Sequence, residues 1–465
     1  MFQSGNFIKS DLKERRRDFE ARQKRLVCEF KKVLERGGKP RLDKKTSNLF
    51  RVRPPADRSS RLDVRDFIHV IEVDHVNHVA EVEGMTTYEK LVDATLPHGL
   101  MPAVVPQLKS ITVGGAVTGG GIESSSFRYG FVHETVAAVE ILTGKGETVI
   151  AKPDNEHSDL FYGFPNSYGS LGYACRLWIK LVPVRPYVRV THHGFRDPEA
   201  YFNDMARICE DGRRNGHGPD FVDGTVFGHG ELYRTEGFFT DTGGEISRYT
   251  FMNIYYHSIR RRREDWLTAH DYLWRWDPDW FWCSRAFGME NPVLRFIAGS
   301  LGLLKSTTYW KLRNWNERYR ILQRLGIMRQ PVEWVIQDVE IPVERAAEFH
   351  DFLIREIGIL PFWICPAKAF RKDAVYPLYR TDPDILYINF GFWGGVKTDR
   401  PQGYYNRLVE DKVAELEGIK SLYSNSFFTE DEFWSRYNRP AYDRLRALYD
   451  PGNVFSGLYE KCVRS

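Results

Sequence analysis

Two carboxylates, a run of glycines and a late crowd of tryptophans are the residues here whose type and spacing could do chemistry. Asp338 and Glu340 lie in WVIQDVEIP, Trp334 to Pro342, whose branched apolar residues read as a strand. Period-two alternation puts them on one face with Ile336, and Gln337 on the other with Val339. A carboxyl on an apolar face loses hydration, its proton affinity rises, and it can serve as an acid near neutral pH. A solvated or salt-bridged strand face is the competing reading for each. Asp338, Glu340 and Gln337 are the catalytic candidates, with Lys368, Tyr387 and Asn389 as weaker pocket candidates.

The glycines crowd PQLKSITVGGAVTGGGIESSSFRYGFVHETVAAVEILTGKGETV, Pro106 to Val149. Gly114, Gly115, Gly119, Gly120 and Gly121 strip side chains from backbone that must turn tightly or touch something flat and polar. Their amides can then face phosphate oxygens. An isolated run of this kind is usually a turn. This one continues into Ser124-Ser125-Ser126 and Arg128-Tyr129-Gly130, then the apolar strand Val136 to Leu142 and the turn Gly144-Lys145-Gly146. Ser158 to Tyr162 follows, and Gly169-Ser170-Leu171-Gly172 leads into a strand from Leu177 to Val182. That order resembles the vanillyl-alcohol-oxidase, or PCMH, type of FAD-binding domain. Tyr449-Asp450-Pro451-Gly452-Asn453-Val454-Phe455 resembles the tail by which that family returns to its flavin domain. WVIQDVEIP, LPFWICP (Leu360 to Pro366) and the stretch Trp276 to Arg295 look like cap segments of delta-24 sterol reductases, a subfamily of lipid double-bond reductases.

The resemblance implies an α+β fold: a two-subdomain PCMH-type FAD-binding domain with an α+β cap built on an antiparallel sheet. It implies cofactor contacts from Thr112, Val113, Gly114, Gly115, Gly119, Gly120, Gly121, Ile122, Glu123, Ser124, Ser125, Ser126, Tyr129, Gly130 and Gly172. Glu123 and Arg128 are balanced between flavin contact and turn hydrogen bonding, and His98 and His133 read first as structural histidines. The family's phosphate loop of the Gly-x-Gly-His-Ser kind does not occur in residues 1–75. Thr46-Ser47-Asn48-Leu49-Phe50-Arg51 takes roughly its place, so the first subdomain is expected to be shortened, with Arg51 or Arg53 a candidate charge at the pyrophosphate. Without that histidine, and with no cysteine from Pro106 to Gly130, FAD is expected to bind non-covalently. The resemblance also implies NADPH as the reductant.

Eleven of the twelve tryptophans follow residue 260, and five fall between Trp266 and Trp282, which favours an apolar cavity over a sugar pocket. The expected reaction is reduction of an isolated C=C bond in a lipid: first a methylene-branched fatty acyl chain of a phospholipid, next a delta-24 sterol side chain. An isolated alkene has no carbonyl to hold developing charge, so a route through protonation needs a positioned acid. Aromatic faces stabilise a nearby cation by roughly 0.5–2 kcal/mol each, a role open to Trp334, Trp363 and Trp393. Two alternatives remain: an alcohol or aldonolactone oxidase or dehydrogenase of the same fold, and a lipid-surface protein that has lost its cofactor.

Composition bounds these readings. The chain has 465 residues, 42% of them hydrophobic, enough for two or three lobes with sizeable cores. Its 66 basic and 62 acidic side chains leave a net charge of +4, too balanced for nucleic acid to be the main partner. Six cysteines show no metal-ligand spacing, so reduced thiols and no metal are expected. No signal-peptide core or membrane-spanning run is legible; Val293 to Leu304 is the best apolar stretch, and it is short and interrupted by Arg295. A cytoplasmic enzyme, with peripheral contact at a membrane surface left open, is the expectation, and the lack of a leading anchor points toward a bacterial lipid enzyme.

The elements that must position these residues follow. Residues 9–36 read as one basic helix with Leu12, Phe19, Leu26 and Val33 on one stripe beside Phe30, packed on the body or meeting a membrane or a partner copy. Residues 1–45 are thus an arm, 46–190 the flavin domain, 191–420 the cap and 421–465 the returning segment. Thr86 is the expected N-cap of a helix with Glu89 in its capping box. In the cap, strands are expected at Thr250 to Tyr256, Val332 to Ile341 and Ile385 to Phe390, and helices near 260–275 and 343–357. The basic run Arg260 to Arg263 reads as a solvated helix face, with headgroup contact as the alternative.

Overall fold

Two antiparallel sheets carry the segments of chemical interest. The computed structural model describes residues 4–47, 49–51, 58–215, 218–319 and 331–463, with backbone alone for 4–10, 214–215 and 314–319. Asn48, Arg53 and the Pro54-Pro55 linker lie outside the described residues. The first sheet runs in the order Val70–Asp74, Val79–Glu83, Tyr173–Pro183, Val136–Leu142, Thr148–Ala151, with Leu100–Pro102 also pairing to Tyr173–Pro183. Tyr173–Pro183, its central strand, alternates: Cys175, Leu177, Ile179 and Leu181 are buried, while Arg176, Trp178 and Lys180 stay partly open. Ahead of this sheet, the strands among the described residues are a parallel pair, Arg41–Asp43 with Arg61–Asp63.

The chain leaves the first sheet at Pro183 and enters the second at Tyr187. That second, eight-stranded sheet runs Glu264–Thr268, Tyr187–Phe195, Glu231–Thr240, Phe221–Gly228, Phe362–Ala367, Tyr387–Lys397, Val332–Pro342, Ile419–Lys420. Val335, Val339 and Ile341 face a core filled by Phe349, Phe352 and Val409 from the helices Ala346–Phe352 and Tyr404–Glu415. The fold is α+β with mixed helices and antiparallel sheets, as the sequence implies.

Two local expectations change. Thr87, not Thr86, caps the helix Tyr88–Thr95 by accepting from the Lys90 amide, while the Thr86 hydroxyl donates to the His69 carbonyl at 3.0 Å. The aromatic run near Thr250 is not a strand: Tyr255–Arg261 is a helix that buries Tyr255, Tyr256, Ser258 and Ile259 at helical spacing. Its β-type residue composition lost to packing. The basic run then passes into the strand Glu264–Thr268, so the helical stretch expected over 260–275 is broken.

The N-terminal helix Ser4–Glu35 lies on the first sheet. Phe19, Leu26, Phe30 and Val33 are buried against Leu62, Phe67, Ile71, Leu142 and Phe455. Beside that seam Arg22 pairs with Glu83, Gln23 Nε2 donates to Glu140 at 2.6 Å, and the Arg176 guanidinium lies 4.5 Å from the Phe19 ring. The stripe is therefore used inside the molecule. Phe19→Ala is expected to cost roughly 3–5 kcal/mol, read as a lower midpoint in denaturant unfolding.

Candidate active site

A cleft of about 800 Å³ runs between the two sheets, lined by Thr112, Gly114, Gly115, Gly119, Gly120, Gly121 and Ile122 on one side and by Asp338, Glu340, Trp363 and Trp393 on the other. The glycines sit on a short helix, Val113–Gly119, whose cap Thr112 accepts from the Gly115 amide at 3.3 Å. Two of them are required by geometry. A Cβ on Gly114 would stand 2.6 Å from the Gly84 carbonyl oxygen, so only glycine lets this helix approach the sheet. Gly120 ends the helix with φ near +71°, a conformation that disfavours side chains.

The strand Val332–Pro342 delivers the carboxyls by alternation. Asp338 stands opposite Gly391 and Glu340 opposite Asn389 on the neighbouring strand. A Cβ at Gly391 would come within 2.5 Å of Asp338 Oδ1, so glycine leaves room for the carboxylate there. Asn389 Nδ2 donates to Asp338 Oδ1 at 2.9 Å. Burial pushes Asp338 up to about 6, opposed by hydrogen bonds from Asn389 and Tyr423. Burial pushes Glu340 up further, to about 8; the Tyr379 hydroxyl opposes this and the neighbouring Asp338 adds to it. Both acids are thus pushed upward, and Glu340, with Asp338 beside it, is the one held further toward its protonated form.

Aromatic rings close the wall. Phe281 lies 4.6 Å from Trp393 and 5.5 Å from Trp363 by ring centroids, and Trp280 lies 5.6 Å from Trp310. Trp280 and Phe281 both have positive φ, +45° and +61°, so the chain stores strain of roughly 1–3 kcal/mol per residue to place two rings in succession.

The remaining candidates are placed as follows. Gly172 lines the cleft; Val113 is core beneath the glycine helix. Glu123 and Ser124 to Ser126 are buried in a turn: Ser124 Oγ donates to Glu123 at 2.6 Å, Ser125 Oγ to the Ala103 carbonyl at 2.8 Å, and Ser126 Oγ accepts from the Glu123 amide at 3.0 Å. Tyr129 packs against the core, and Gly130 turns with φ near +77° over Glu134. Gln337 points away from the cleft, as its place in the alternation requires, and bonds Asn406 at 3.0 Å. Trp334 is half exposed, and Lys368 reaches the Asp384 carbonyl at the surface. Tyr387 accepts from the Asp382 amide at 3.2 Å. Arg128 bonds Asp220, His98 stacks on His75, and His133 is buried against Tyr376, which pushes it down to about 3.

Further residues complete the cleft, and of these only Arg51 and its segment are expected from the sequence. Gln107 is 4% exposed and lines it, with neither amide oxygen nor nitrogen partnered. Arg41, Lys44, Arg61 and Lys461 line the same cleft, with Thr46, Ser47, Leu49, Phe50 and Arg51 from the segment that stands in place of a phosphate loop. Arg51 donates to Cys462 Sγ at 2.9 Å and its guanidinium lies 4.7 Å from the Tyr168 ring. A flavin dinucleotide fits this set. The free amide of Gln107 offers the donor and acceptor that a pyrimidine edge needs, the bare glycines accept a flat ring, and the cations suit a pyrophosphate. Gln107 stands in the quoted glycine stretch, but nothing in its neighbours marked it as unpaired.

Keeping Glu340 protonated in the fold, while the unfolded chain ionises near 4.5, costs stability that grows as pH rises from about 4.5 to about 8. Glu340→Gln removes that cost. In flavin-free protein its unfolding free energy is expected to exceed the parent's by an increment that is larger at alkaline than at acid pH by roughly 1–4 kcal/mol.

Comparison with known proteins agrees with this geometry. A family described as "FAD binding domain" matches residues 47–152. Delta(24)-sterol reductase of Pisum sativum is 26% identical over 94% of this chain and 81% of that protein. The Homo sapiens protein of the same name is 26% identical over 86% of this chain and 77% of its own length. Cytokinin dehydrogenase 4 of Arabidopsis thaliana is 22% identical over 81% of this chain and 71% of that protein. The chain is an FAD-dependent oxidoreductase of PCMH type, homologous over most of its length to proteins named delta(24)-sterol reductase.

Proposed function

We propose that the protein reduces an isolated C=C bond of a lipid, with FAD held non-covalently and NADPH as the reductant. The observation that carries this reading is one cleft joining bare glycine backbone to a buried carboxyl, Glu340, inside a wall of tryptophan and phenylalanine. The names of the relatives support the reaction class. No histidine among the described residues lines the cleft, and burial pushes the thiol of Cys283, which does, up to about 12. Neither ordinary attachment chemistry is therefore poised there.

FAD, when bound, supplies the hydride chemistry. Glu340 holds the proton that one alkene carbon must receive, at a pH where an ordinary carboxyl would have lost it. Asp338, ionised beside it, raises that proton affinity and favours positive charge on the second carbon. Trp363 and Trp393 exclude water and contribute roughly 0.5–2 kcal/mol each to a cation held over a ring face. This machinery suits a branched alkene, which gives a tertiary cation. Both a delta-24 sterol side chain and a methylene-branched acyl chain of a phospholipid meet that requirement. The relatives support the sterol. The basic arm that could have favoured phospholipid is spent on packing.

The cytokinin dehydrogenase relative supports a second reading, electron withdrawal from substrate. Anaerobic mixing separates the two. NADPH is expected to bleach the flavin and the lipid alkene to restore its colour; a flavin unreactive toward NADPH removes the first reading. Glu340→Gln should leave bleaching intact and slow the alkene-dependent return about 10²–10⁴-fold. In the parent that second step should weaken as pH rises through about 8. Lipid mass spectrometry of cells lacking the gene would show which alkene accumulates.

A further inference from the structure

The helix Pro292–Ser300 and the turn after it hold an apolar face outward. Val293, Leu294, Phe296, Ile297, Leu301 and Leu303 are between 41% and 67% exposed. Phe251 and Met252 extend the face, with the Phe251 ring 5.7 Å from that of Phe296. Single exposed apolar residues are ordinary, but a contiguous patch of this kind marks an interaction surface.

The patch is held rigidly. Arg295, the one basic residue of this helix, is 1% exposed and turned inward. It donates to Asp279 Oδ1 at 2.6 Å and Oδ2 at 3.0 Å, and to the carbonyls of Phe251 at 2.6 Å and Asn253 at 3.1 Å. Asp279 adjoins Trp280 in the cleft wall, and beyond the patch Ser306 and Trp310 join the same wall. The apolar face is thus flanked along the chain, on both sides, by residues that line the cleft.

Charge indicates what covers it. From Asn291 to Trp315 there is no acidic residue, and Lys305 and Lys311 are exposed. A second copy docked by a two-fold axis would set this basic segment, which has no acid of its own, against itself. An anionic lipid surface complements both its apolar and its basic parts.

We infer that Pro292–Leu303 inserts into the interfacial layer of an anionic phospholipid bilayer, placing the cleft next to its lipid source. Docking stands on the patch alone; the delivery role rests on the lipid-reductase reading above. No helix among the described residues is long and apolar enough to cross a membrane, so the contact is with one surface.

The test is co-sedimentation of the FAD-loaded protein with phosphatidylcholine vesicles, with and without phosphatidylglycerol, in the absence of any substrate. The parent should pellet with the anionic vesicles. Phe296→Asp with Ile297→Asp should lower its partition coefficient about tenfold or more, with flavin absorbance and melting midpoint unchanged because both side chains are exposed. Lys305→Glu with Lys311→Glu should weaken binding to anionic vesicles alone. A parent that stays in the supernatant, or an aspartate variant that pellets as the parent does, overturns the proposal. So does a parent dimer that the aspartate pair splits, which would make the face a contact between copies. Failure of lipid reduction would leave the vesicle result standing, and the reverse holds too.

Discussion

Removing water from two neighbouring carboxyl groups is the constraint on which the rest of this architecture depends. Left in solvent, Asp338 and Glu340 would both ionise well below neutrality and neither could hold a proton. The cleft opposes this by flanking them with rings and hydroxyls that leave less room for water: Phe281, Trp363 and Trp393 on the wall, Tyr379 and Tyr423 beside the acids. Neither carboxyl has a Lys or Arg among the groups that shift it, which distinguishes this pair from the salt-bridged acids elsewhere in the fold. A cation at the site would lower both acids.

The wall itself needs anchoring. Trp363 donates through its indole nitrogen to Asp223 at 3.2 Å, and Asp223 accepts from Arg275 at 2.8 Å. Arg275 in turn lies 3.6 Å from Glu123, which follows directly on the glycine segment. A buried chain of charge therefore links the turn after the glycines to the opposite sheet. Breaking such a pair from one side leaves an uncompensated charge, so these residues set the spacing between the two halves without lining the cleft. The cost of their burial and the strained backbone at Trp280 and Phe281 both fall next to the chemistry.

Much of this was legible in the chain. The period of the segment around Asp338 sends alternate residues to opposite faces whatever the surroundings, so its orientation followed from spacing alone. The glycines spoke for the same reason: loss of a side chain is a geometric statement. What stayed hidden depends on distant partners. Gln107 gives no sign that its amide will go unbonded. Glu123 and its serines look as apt for a ligand as for a turn, and the Arg275 that pairs with Glu123 lies about 150 positions away in the chain. Arg41, Lys44 and Lys461 line one cleft although more than four hundred positions separate the first from the last. Tyr255 and its neighbours read as a strand because aromatic residues suit strands in general, while their burial at helical spacing makes them a helix. The basic arm was undecided until Glu83 and Glu140 were seen to receive it.

The pairing of Asp338 with Gly391 and of Glu340 with Asn389 also limits how this enzyme can diversify. Side chains on that strand are individually exchangeable, but its length is not. Dropping or adding one position upstream would rotate the carboxyls into the aliphatic interior and offer an amide and hydrocarbon to the ligand instead. Descendants with new specificities should therefore differ by replacement along this edge and by indels only in the loops that bound it.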